Sequence, residues 1–523
     1  MFIKAISTLS SLTFLSRILG YVRDLLIARI IGAGMISDAF FVAFKLPNLF
    51  RRVFAEGAMN SAFIPVVSGI FSNSGRIESD KFFSKVFSLL LNTLFFILVI
   101  IEIFMPFVIS IIAPGFEDDP LKKELAVQYS QLAFPFVFFI CLTSLVGSYL
   151  NTLGKFAAMA FTPIILNLCL ISVLMFLSGE ISEKENITKI LSLSISVAGF
   201  IQLVWLLFNL KINSVRLRIH FKELSNFVKF DSDSKRLFQL FIPALAGNGV
   251  YQINLLIDMI LASTLPDGSI SYLYYADRVN QLPLGVFGIA ISTALLPVLS
   301  KKIKEKKFEE SNIHISNSIK ISFLLSIPAT MGIIILSNEI VNFLFLRGEF
   351  TLSDSILTSK ALLVLSLGLP AFILIKVLVT PFFASEDTKT PVYVSLICMF
   401  INLILNLILI GPYQHIGLVI ATTISAWINV ILLFFLLNKK KIITFETNII
   451  SVILKSIMCS LIMAILISNF IDLNILSNEK YFFISKSSLM LLFTIFCAII
   501  VYGLLIYFSN KRDLKLLWKS KIQ

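Results

Sequence analysis

Long apolar runs constrain the fold of this chain more than any other feature of its sequence. A helix of about 20 apolar residues is long enough to cross a bilayer, and the chain holds roughly fourteen such runs. Of its 523 residues, 57% are hydrophobic and only 14% are charged, which is typical of a membrane protein. We therefore predict an all-α polytopic membrane protein. The predicted spans are 5–32, 36–68, 84–112, 128–150, 157–178, 189–210, 236–263, 270–299, 316–337, 356–383, 391–410, 415–437, 449–470 and 484–508.

The loops between these runs alternate between basic and less basic. The formal net charge is +13, and Lys and Arg favour one set of loops by roughly three to one. Basic loops face the cytoplasm, so we predict that both termini are cytoplasmic and that the positive charge reflects orientation rather than nucleic-acid binding. The basic set comprises 75–85, 211–236, 301–307, 438–441 and the tail 510–521, and the other set comprises 116–124, 179–186, 265–269 and 472–480.

The chain repeats itself. Residues 37–68 align without a gap on 269–300, with Asn48 meeting Asn280. An even number of predicted spans separates the copies, so the repeat is parallel: two six-helix lobes, with two additional helices at the C-terminus. Substrate in such a transporter is expected near the bilayer midplane, where the lobes meet. The predicted parts are an N-lobe (1–212), a basic cytoplasmic linker (213–235), a C-lobe (236–438) and a last pair of helices with a basic tail (439–523).

The first two predicted spans carry charges that a bilayer makes costly, and such charges normally face a water-filled cavity. At about 100° per residue, four of them form one stripe on span 2, from which Arg51 departs unless the proline kink at Pro47 re-aims it. The stripe consists of Asp38, Lys45, Arg52 and Glu56. On span 1, Arg17 and Asp24 share a face, and Arg23 lies about a third of a turn away. On span 8, Asp277 and Arg278 interrupt an apolar helix.

Two interpretations of these charges stay open. They are internal ion pairs, such as Lys45 with Asp38, or they bind an anion. The cations outnumber the carboxylates, and a guanidinium fork matches phosphate oxygens. This imbalance favours a cavity for an anionic ligand.

The second half holds another polar group. Hard oxygen ligands for a small monovalent cation, for which we consider Na⁺, are available from Asp258, Asn402, Asn406 and Thr422. The alternative is that the amides and the hydroxyl are interhelical hydrogen-bond partners, which are common in membranes. Lys376 lies deep in span 10, and we treat it as a secondary candidate, whereas Lys360 is expected to snorkel to the interface.

Several long motifs resemble the MurJ (MviN) family of lipid II flippases. The resemblance rests on the run from Ser16 to Val66, on APGF (113–116), SLVGSYLN (144–151) and TKTPV (388–392), and on YYADRVNQLPLGVFGIAISTALLPVLS (274–300). It implies the fourteen-helix fold of the multidrug/oligosaccharidyl-lipid/polysaccharide exporter superfamily. It also implies that Arg17, Arg23, Arg51 and Arg278 line a cationic cavity, with Asp24, Asp38, Lys45 and Glu56 as their partners. The resemblance prefers Arg51 to Arg52. It implies a Na⁺ site at the four second-half residues, although Asn406 stands where the family has a carboxylate.

The resemblance further implies a function. Members carry undecaprenyl-diphosphate-linked MurNAc-pentapeptide-GlcNAc from the inner to the outer leaflet of the bacterial cytoplasmic membrane. We therefore expect a secondary-active lipid transporter and not an enzyme, driven by membrane potential or by Na⁺ or proton coupling, with membrane lipids and cell-wall glycosyltransferases as partners. The sequence has no Walker A motif, so ATP is not the expected energy source. The alternatives are a flippase for another polyprenyl-diphosphate-linked oligosaccharide and a cation-coupled multidrug exporter.

Overall fold

The computed structural model of the protein describes residues 2–53, 59–177, 183–218, 232–440, 442, 447–472, 480–481 and 484–509. These residues form helices α1–α18 and one pair of two-residue strands. They divide into two compact units, Met1–Ser271 with Arg347–Phe350, and Tyr272–Leu346 with Thr351–Gln523.

The described part of the first unit contains ten helices, α1 to α10, whose ends follow local signals. Gly32 (φ 78°) ends α1, and Gly75 (φ 80°) breaks the long helix α3. Asp119 caps α5 by accepting from the backbone N–H groups of Leu121 and Lys122, both at 3.1 Å. The helices are α1 (Phe2–Ile31), α2 (Met35–Phe50), α3 (Asn60–Ile103), α4 (Met105–Ile112), α5 (Pro120–Ala133), α6 (Pro135–Thr152), α7 (Phe156–Ala160), α8 (Thr162–Leu177), α9 (Lys184–Ile212) and α10 (Ser232–Ser263), with a 3-10 turn at Pro114–Asp118.

The core of the first unit is aromatic. The rings of Phe83 and Tyr149 stack with their centroids 4.3 Å apart, and Phe63 stacks on Phe82 at 6.2 Å. Lipid is as apolar as these side chains, so close van der Waals packing rather than escape from water holds the helices together.

The second unit continues the helical pattern. Its helices α14 and α15 meet at a bend of 41°, and Gln414 (φ 51°) breaks α16. The helices are α11 (Ser269–Pro283, of which residues 269–271 belong to the first unit), α12 (Ile289–Lys304), α13 (Phe308–Phe345), α14 (Leu352–Leu367), α15 (Leu369–Ala384), α16 (Lys389–Lys439), α17 (Thr447–Asp472) and α18 (Lys486–Ser509), with a π-helical turn at Leu284–Gly288 after α11. Strands β1 (Lys480–Tyr481) and β2 (Ile484–Ser485) pair antiparallel.

The core of the second unit forms where α12, α13, α15 and α16 meet, around Leu299, Ile315, Leu378 and Leu437. The last two helices, α17 and α18, pack on α13. Leu336 of α13 is buried there against Met463 and Leu491.

The predicted all-α polytopic class is confirmed. Among the described residues, nine helices are long and apolar enough to cross a membrane, or ten if α14 and α15 form one span. The count of fourteen stays a prediction. It is consistent with this structure because a chain that turns at the breaks in α3 and α16 obtains two further spans, and α1 and α10, with 30 and 32 residues, are also long enough to cross a membrane.

The repeat is visible in the backbone. The same spacing that separates Ser37 from Ser269 separates the caps of α5 and α14, Asp119 and Thr351. Both copies also hold π-helical residues at overlapping positions, 51–53 and 284–288. The two compact units are defined by packing, whereas the predicted lobes are the parts that would move in transport. The lobe boundaries therefore stay a prediction. Most of the predicted linker, 219–231, and the basic tail lie outside the described residues.

Candidate functional site

Helix α1 carries a buried ion pair. Arg23 is 4% exposed and Asp24 is 1% exposed. Nε and Nη2 of Arg23 donate to Oδ1 of Asp24, at 3.0 and 2.8 Å. Nη1 of Arg23 donates to Oδ1 of Asn167 on α8 at 2.9 Å, and its guanidinium carbon lies 5.1 Å from the centre of the Phe44 ring on α2. Arg23 is thus held by groups on α1, α2 and α8, and the adjacent carboxylate balances its charge.

Asp38, at the start of α2, is a second buried charge. Its Oδ2 accepts from the backbone N–H of Gly268 at 2.7 Å, and its Oδ1 accepts from the N–H and hydroxyl of Ser271, at 2.9 and 2.7 Å. Lys122 of α5 donates to Oδ2 of Asp38 at 3.3 Å and to Oδ1 of Asp267 at 2.6 Å. Asp38 therefore accepts from the backbone at Gly268 and Ser271, which belong to the same unit, and its charge is balanced by a buried lysine.

Sequence reasoning missed Lys122. It lies in the stretch FEDDPLKKE, whose alternating charges are typical of a solvated loop, yet the side chain is buried and its Nζ lies 4.4 Å from the centre of the Phe116 ring. A signal was available, because Asp119 followed by Pro120 is a helix start. A helix that begins there places Lys122 and Lys123 on different faces, so that only one of them is solvated.

The other predicted cations of α1 and α2 are more accessible. Arg17 and Arg52 are exposed, whereas Lys45 and Arg51 are half-buried. Nε of Arg51 donates to Oδ1 of Asn48 at 3.3 Å. Residues 51–53 are π-helical and have more residues per turn than an α-helix. The rotation of 100° per residue that placed Arg52 on the stripe therefore does not apply there. Which of the two arginines meets the ligand stays a prediction, and Glu56 lies outside the described residues.

In the second unit, Arg278 is half-buried on α11 and Asp277 is exposed, accepting a hydrogen bond from Gln281 one turn later. Lys376 on α15 and Lys360 on α14 are also exposed. The structure therefore places cations on α11, α14 and α15, on helices that are otherwise largely apolar.

Three of the four predicted Na⁺ ligands lie together in the second unit. Asn402 is 1% exposed and Asn406 is 0% exposed. Nδ2 of Asn406 donates to Oδ1 of Asn402 at 3.0 Å, and Nδ2 of Asn402 lies 3.4 Å from the hydroxyl of Thr422. Asp258, on α10, belongs to the first unit and is half-buried. The amide-to-amide contact fits the hydrogen-bond interpretation, and the cation site stays a prediction.

The carboxylates of α1 and α2 differ from most of the nearby cations in exposure. Within residues 2–53 the carboxylates are Asp24 and Asp38, and each is buried against a cation. The charged side chains that are exposed or half-buried on α1 and α2, and directly after α2, are therefore cations, and they include Arg17, Lys45, Arg51 and Arg52. Guanidinium groups bind phosphate oxygens in pairs, so the arginines among these residues are suited to a phosphate-bearing anion.

Comparisons with known proteins identify one family. The family described as "Lipid II flippase MurJ" matches residues 27–510. A protein of Rickettsia prowazekii (strain Madrid E) named "Probable lipid II flippase MurJ" is 38% identical over 507 residues, which are 97% of this chain and 96% of the relative. A protein of the same name from Vibrio cholerae serotype O1 is 39% identical over 435 residues, 81% of each chain.

A comparison with solved structures points to the same family. A structure described as "Lipid II flippase MurJ, inward closed conformation" matches with a TM-score of 0.79 and 31% identity, covering 97% of this chain and 99% of that one. An inward-facing multidrug resistance MATE transporter of the MOP superfamily matches with a TM-score of 0.67 over 84% of this chain and 98% of its own. Its identity is only 14%, so that likeness concerns the fold alone.

Proposed function

This chain belongs to the MurJ family of lipid II flippases, and from that premise we propose how it moves its substrate. The protein is a multi-pass transporter of the bacterial inner membrane, and its substrate is lipid II, the lipid-linked precursor of peptidoglycan. The proposal concerns the residues that bind the head group, the conformational cycle and the source of energy.

The head group of lipid II carries a diphosphate, which is the hardest part of the substrate to move. Burying an unpaired charge in hydrocarbon costs many kcal/mol, so the protein must replace water around the phosphate oxygens. We assign this role to Arg17, Lys45, Arg51 and Arg52 on the first half of the chain and to Arg278 on the second. The observation that carries the assignment is that these cations are exposed or half-buried, whereas Asp24 and Asp38 are occupied by Arg23 and Lys122.

The cycle is alternating access without ATP. The predicted lobes, 1–212 and 236–438, open in turn to the cytoplasm and to the outer face, and the polyprenyl tail stays in lipid. A binding site with net positive charge responds to the membrane potential, which acts with roughly 2.3 kcal/mol per charge per 100 mV. Coupling to Na⁺ through Asp258, Asn402, Asn406 and Thr422, or coupling to protons, is a second source of energy in this proposal. The basic loops support cytoplasmic termini, and cell-wall glycosyltransferases are the expected protein partners.

A lipid II translocation assay tests the head-group assignment. Cells depleted of their own flippase receive wild type, Arg17→Ala, Arg51→Ala, Arg52→Ala or Arg278→Ala at equal membrane levels, and outer-leaflet lipid II is measured. Losing a hydrogen bond to a charged group costs about 1.5–3 kcal/mol. Replacing an arginine that contacts the diphosphate should therefore lower the translocation rate about tenfold or more. Lys301→Ala is the matched control, because Lys301 is an exposed cation at the end of α12.

The arginine-to-lysine variants separate charge from geometry. A lysine keeps the charge but loses the planar fork, so Arg51→Lys should recover only part of the activity if the fork binds two phosphate oxygens. Alanine variants that insert stably and translocate at the wild-type rate would contradict the assignment. If wild type instead moves a different polyprenyl-diphosphate-linked sugar, the head group has been misidentified while the phosphate contacts stand.

A further inference from the structure

Asn167, on α8, holds two points of α1 at once. Its Oδ1 accepts from Nη1 of Arg23 at 2.9 Å, and its Nδ2 donates to the backbone oxygen of Ser16 at 3.0 Å. The residue is 5% exposed. Both polar atoms of its side chain are therefore used to bind α1.

The two points lie on one face of α1. Seven positions at about 100° each bring Ser16 and Arg23 within about 20° of one another around the helix axis. Arg17, the next residue after Ser16, points about 100° to the side, and it is exposed whereas Arg23 is buried. A side chain that is hydrogen-bonded to both Ser16 and Arg23 therefore sets the direction in which Arg17 points.

We propose that Asn167 is the positioning residue for Arg17: it fixes the rotation of α1 on α8 and so directs the Arg17 guanidinium towards the head group of lipid II. This inference rests on the proposed function, because it takes Arg17 to be a ligand of the diphosphate. Arg23 and Asp24 then serve as the fixed pivot of α1. Phe44 supports the pivot from α2 by lying over the guanidinium.

The chemistry of the side chain suits this role. An amide offers one acceptor, which Arg23 uses, and donors, one of which Ser16 uses. It adds no charge, so the Arg23–Asp24 pair stays neutral and the positive charge of Arg17 is not cancelled. An aspartate at position 167 keeps the acceptor but loses the donor, so the two contacts can be tested separately.

Cysteine labelling tests the rotation without measuring transport. Arg17→Cys is placed in a full-length chain whose five natural cysteines are replaced, and its rate of reaction with a hydrophilic maleimide is measured in membranes. Adding Asn167→Ala removes both contacts, and we expect the labelling rate at position 17 to change by about tenfold, the scale of one lost hydrogen bond to a charged group. Asn167→Asp keeps the Arg23 contact and provides a second variant if alanine prevents insertion.

A matched control separates positioning from general destabilisation. Asn209 on α9 is half-buried, and its Nδ2 donates to the backbone oxygen of Trp205 on its own helix at 2.8 Å. Asn209→Ala should leave the labelling rate at position 17 unchanged. Lipid II translocation is measured in parallel in chains that retain Arg17, where Asn167→Ala should reduce the rate about as much as Arg17→Ala.

The outcomes distinguish this inference from the proposed function. If the labelling rate at position 17 is the same with and without Asn167→Ala, the inference is overturned. It is also overturned if the cysteine at position 17 does not react in either protein. Changed labelling with unchanged translocation also overturns it, because the direction of Arg17 then has no role in transport. If Arg17→Ala itself translocates normally, the proposed head-group contact fails, whatever the labelling shows.

Discussion

The two copies of the internal repeat share a framework and differ in their charges. The residues that cap α5 and α14, Asp119 and Thr351, occupy corresponding positions. At the same spacing, the chain adopts a positive φ at Gly154 (75°) and at Glu386 (61°). Capping and positive-φ positions are set by backbone geometry, and these have been kept in both copies.

One turn into the capped helices, the chemistry differs. In the first copy Lys122 bridges Asp38 and Asp267. The corresponding residue of the second copy is Asp354, which accepts from the hydroxyl of Tyr272 at 2.9 Å and from the backbone N–H of Thr351 at 2.8 Å. The first copy buries a network of charges at this place, and the second buries one carboxylate among neutral donors. The difference teaches that the framework does not decide where the repeat places its buried cations.

The largest effect should come from the charged network. Lys122→Met leaves the Asp38 carboxylate buried without its cation, and removing one partner of a buried pair costs about 3–5 kcal/mol. Thermal unfolding of the purified protein in detergent measures this loss. Lys123→Met is the neighbouring control, since Lys123 pairs with Glu117 at an exposed site, where a pair contributes about 0–1 kcal/mol. Equal effects of the two variants would show that the Lys122 network does not stabilise the fold.

A change at the corresponding site of the second copy, where Asp354 has neutral donors, should lower the free energy of unfolding by less. Tyr272→Phe removes the hydrogen bond to Oδ1 of Asp354, and a hydrogen bond to a charged group contributes about 1.5–3 kcal/mol. The same unfolding measurement compares it with Tyr393→Phe, a change at a residue that is 65% exposed. A loss for Tyr272→Phe as large as that for Lys122→Met would remove the energetic difference between the two copies.

The shared positive-φ position should respond in opposite directions. Gly154→Ala places a Cβ in open space, so its cost is the left-handed conformation, about 1–2 kcal/mol. Glu386 already pays that cost, so Glu386→Gly should stabilise the fold by up to about 1 kcal/mol after the added chain entropy of glycine. Unfolding midpoints of the two variants that move in the same direction would contradict the equivalence of the two turns.

The smallest effect concerns Asp387, where the first copy has Lys155. Partial burial raises the pKa of Asp387, but hydrogen bonds from Lys440 and Thr390 outweigh it and lower the pKa to about 2. A carboxylate with a lowered folded-state pKa stabilises the protein above its unfolded pKa, and this contribution is lost as the pH falls through about 2. Asp387→Asn should lower the unfolding midpoint slightly at neutral pH, and the difference should vanish towards pH 2. A difference that is the same at every pH would point to a role independent of charge.

Much of this molecule could be predicted from its pattern of residues. The apolar runs predicted the all-α polytopic class, and the motifs from Ser16 to Val66 indicated the family. The repeat was visible because Ser37 and Ser269 start matching runs. These features are local, since they depend on periodicity, chain length and neighbouring residues.

The partners of the buried charges could not be predicted in this way. Sequence reasoning placed Arg23 and Asp38 in a cavity, and it read Lys122 as part of a solvated loop. The contacts of Arg23 with Asn167, and of Asp38 with Lys122 and Gly268, join residues that are far apart in the chain. Helical periodicity gives the face on which a charge lies, but it does not give the helix that meets that face.

The sequence by itself therefore determined that this chain is a membrane protein of the lipid II flippase family with an excess of intramembrane cations. Only the tertiary structure decided which residues meet the charges that are fully buried. The physical reason is that a buried charge persists only with a partner, and that partner comes from whichever helix packs against it. In this protein Asp24 and Asn167 meet Arg23 and Lys122 meets Asp38, while Arg17, Lys45, Arg51 and Arg52 remain accessible on α1 and α2 or just beyond the end of α2.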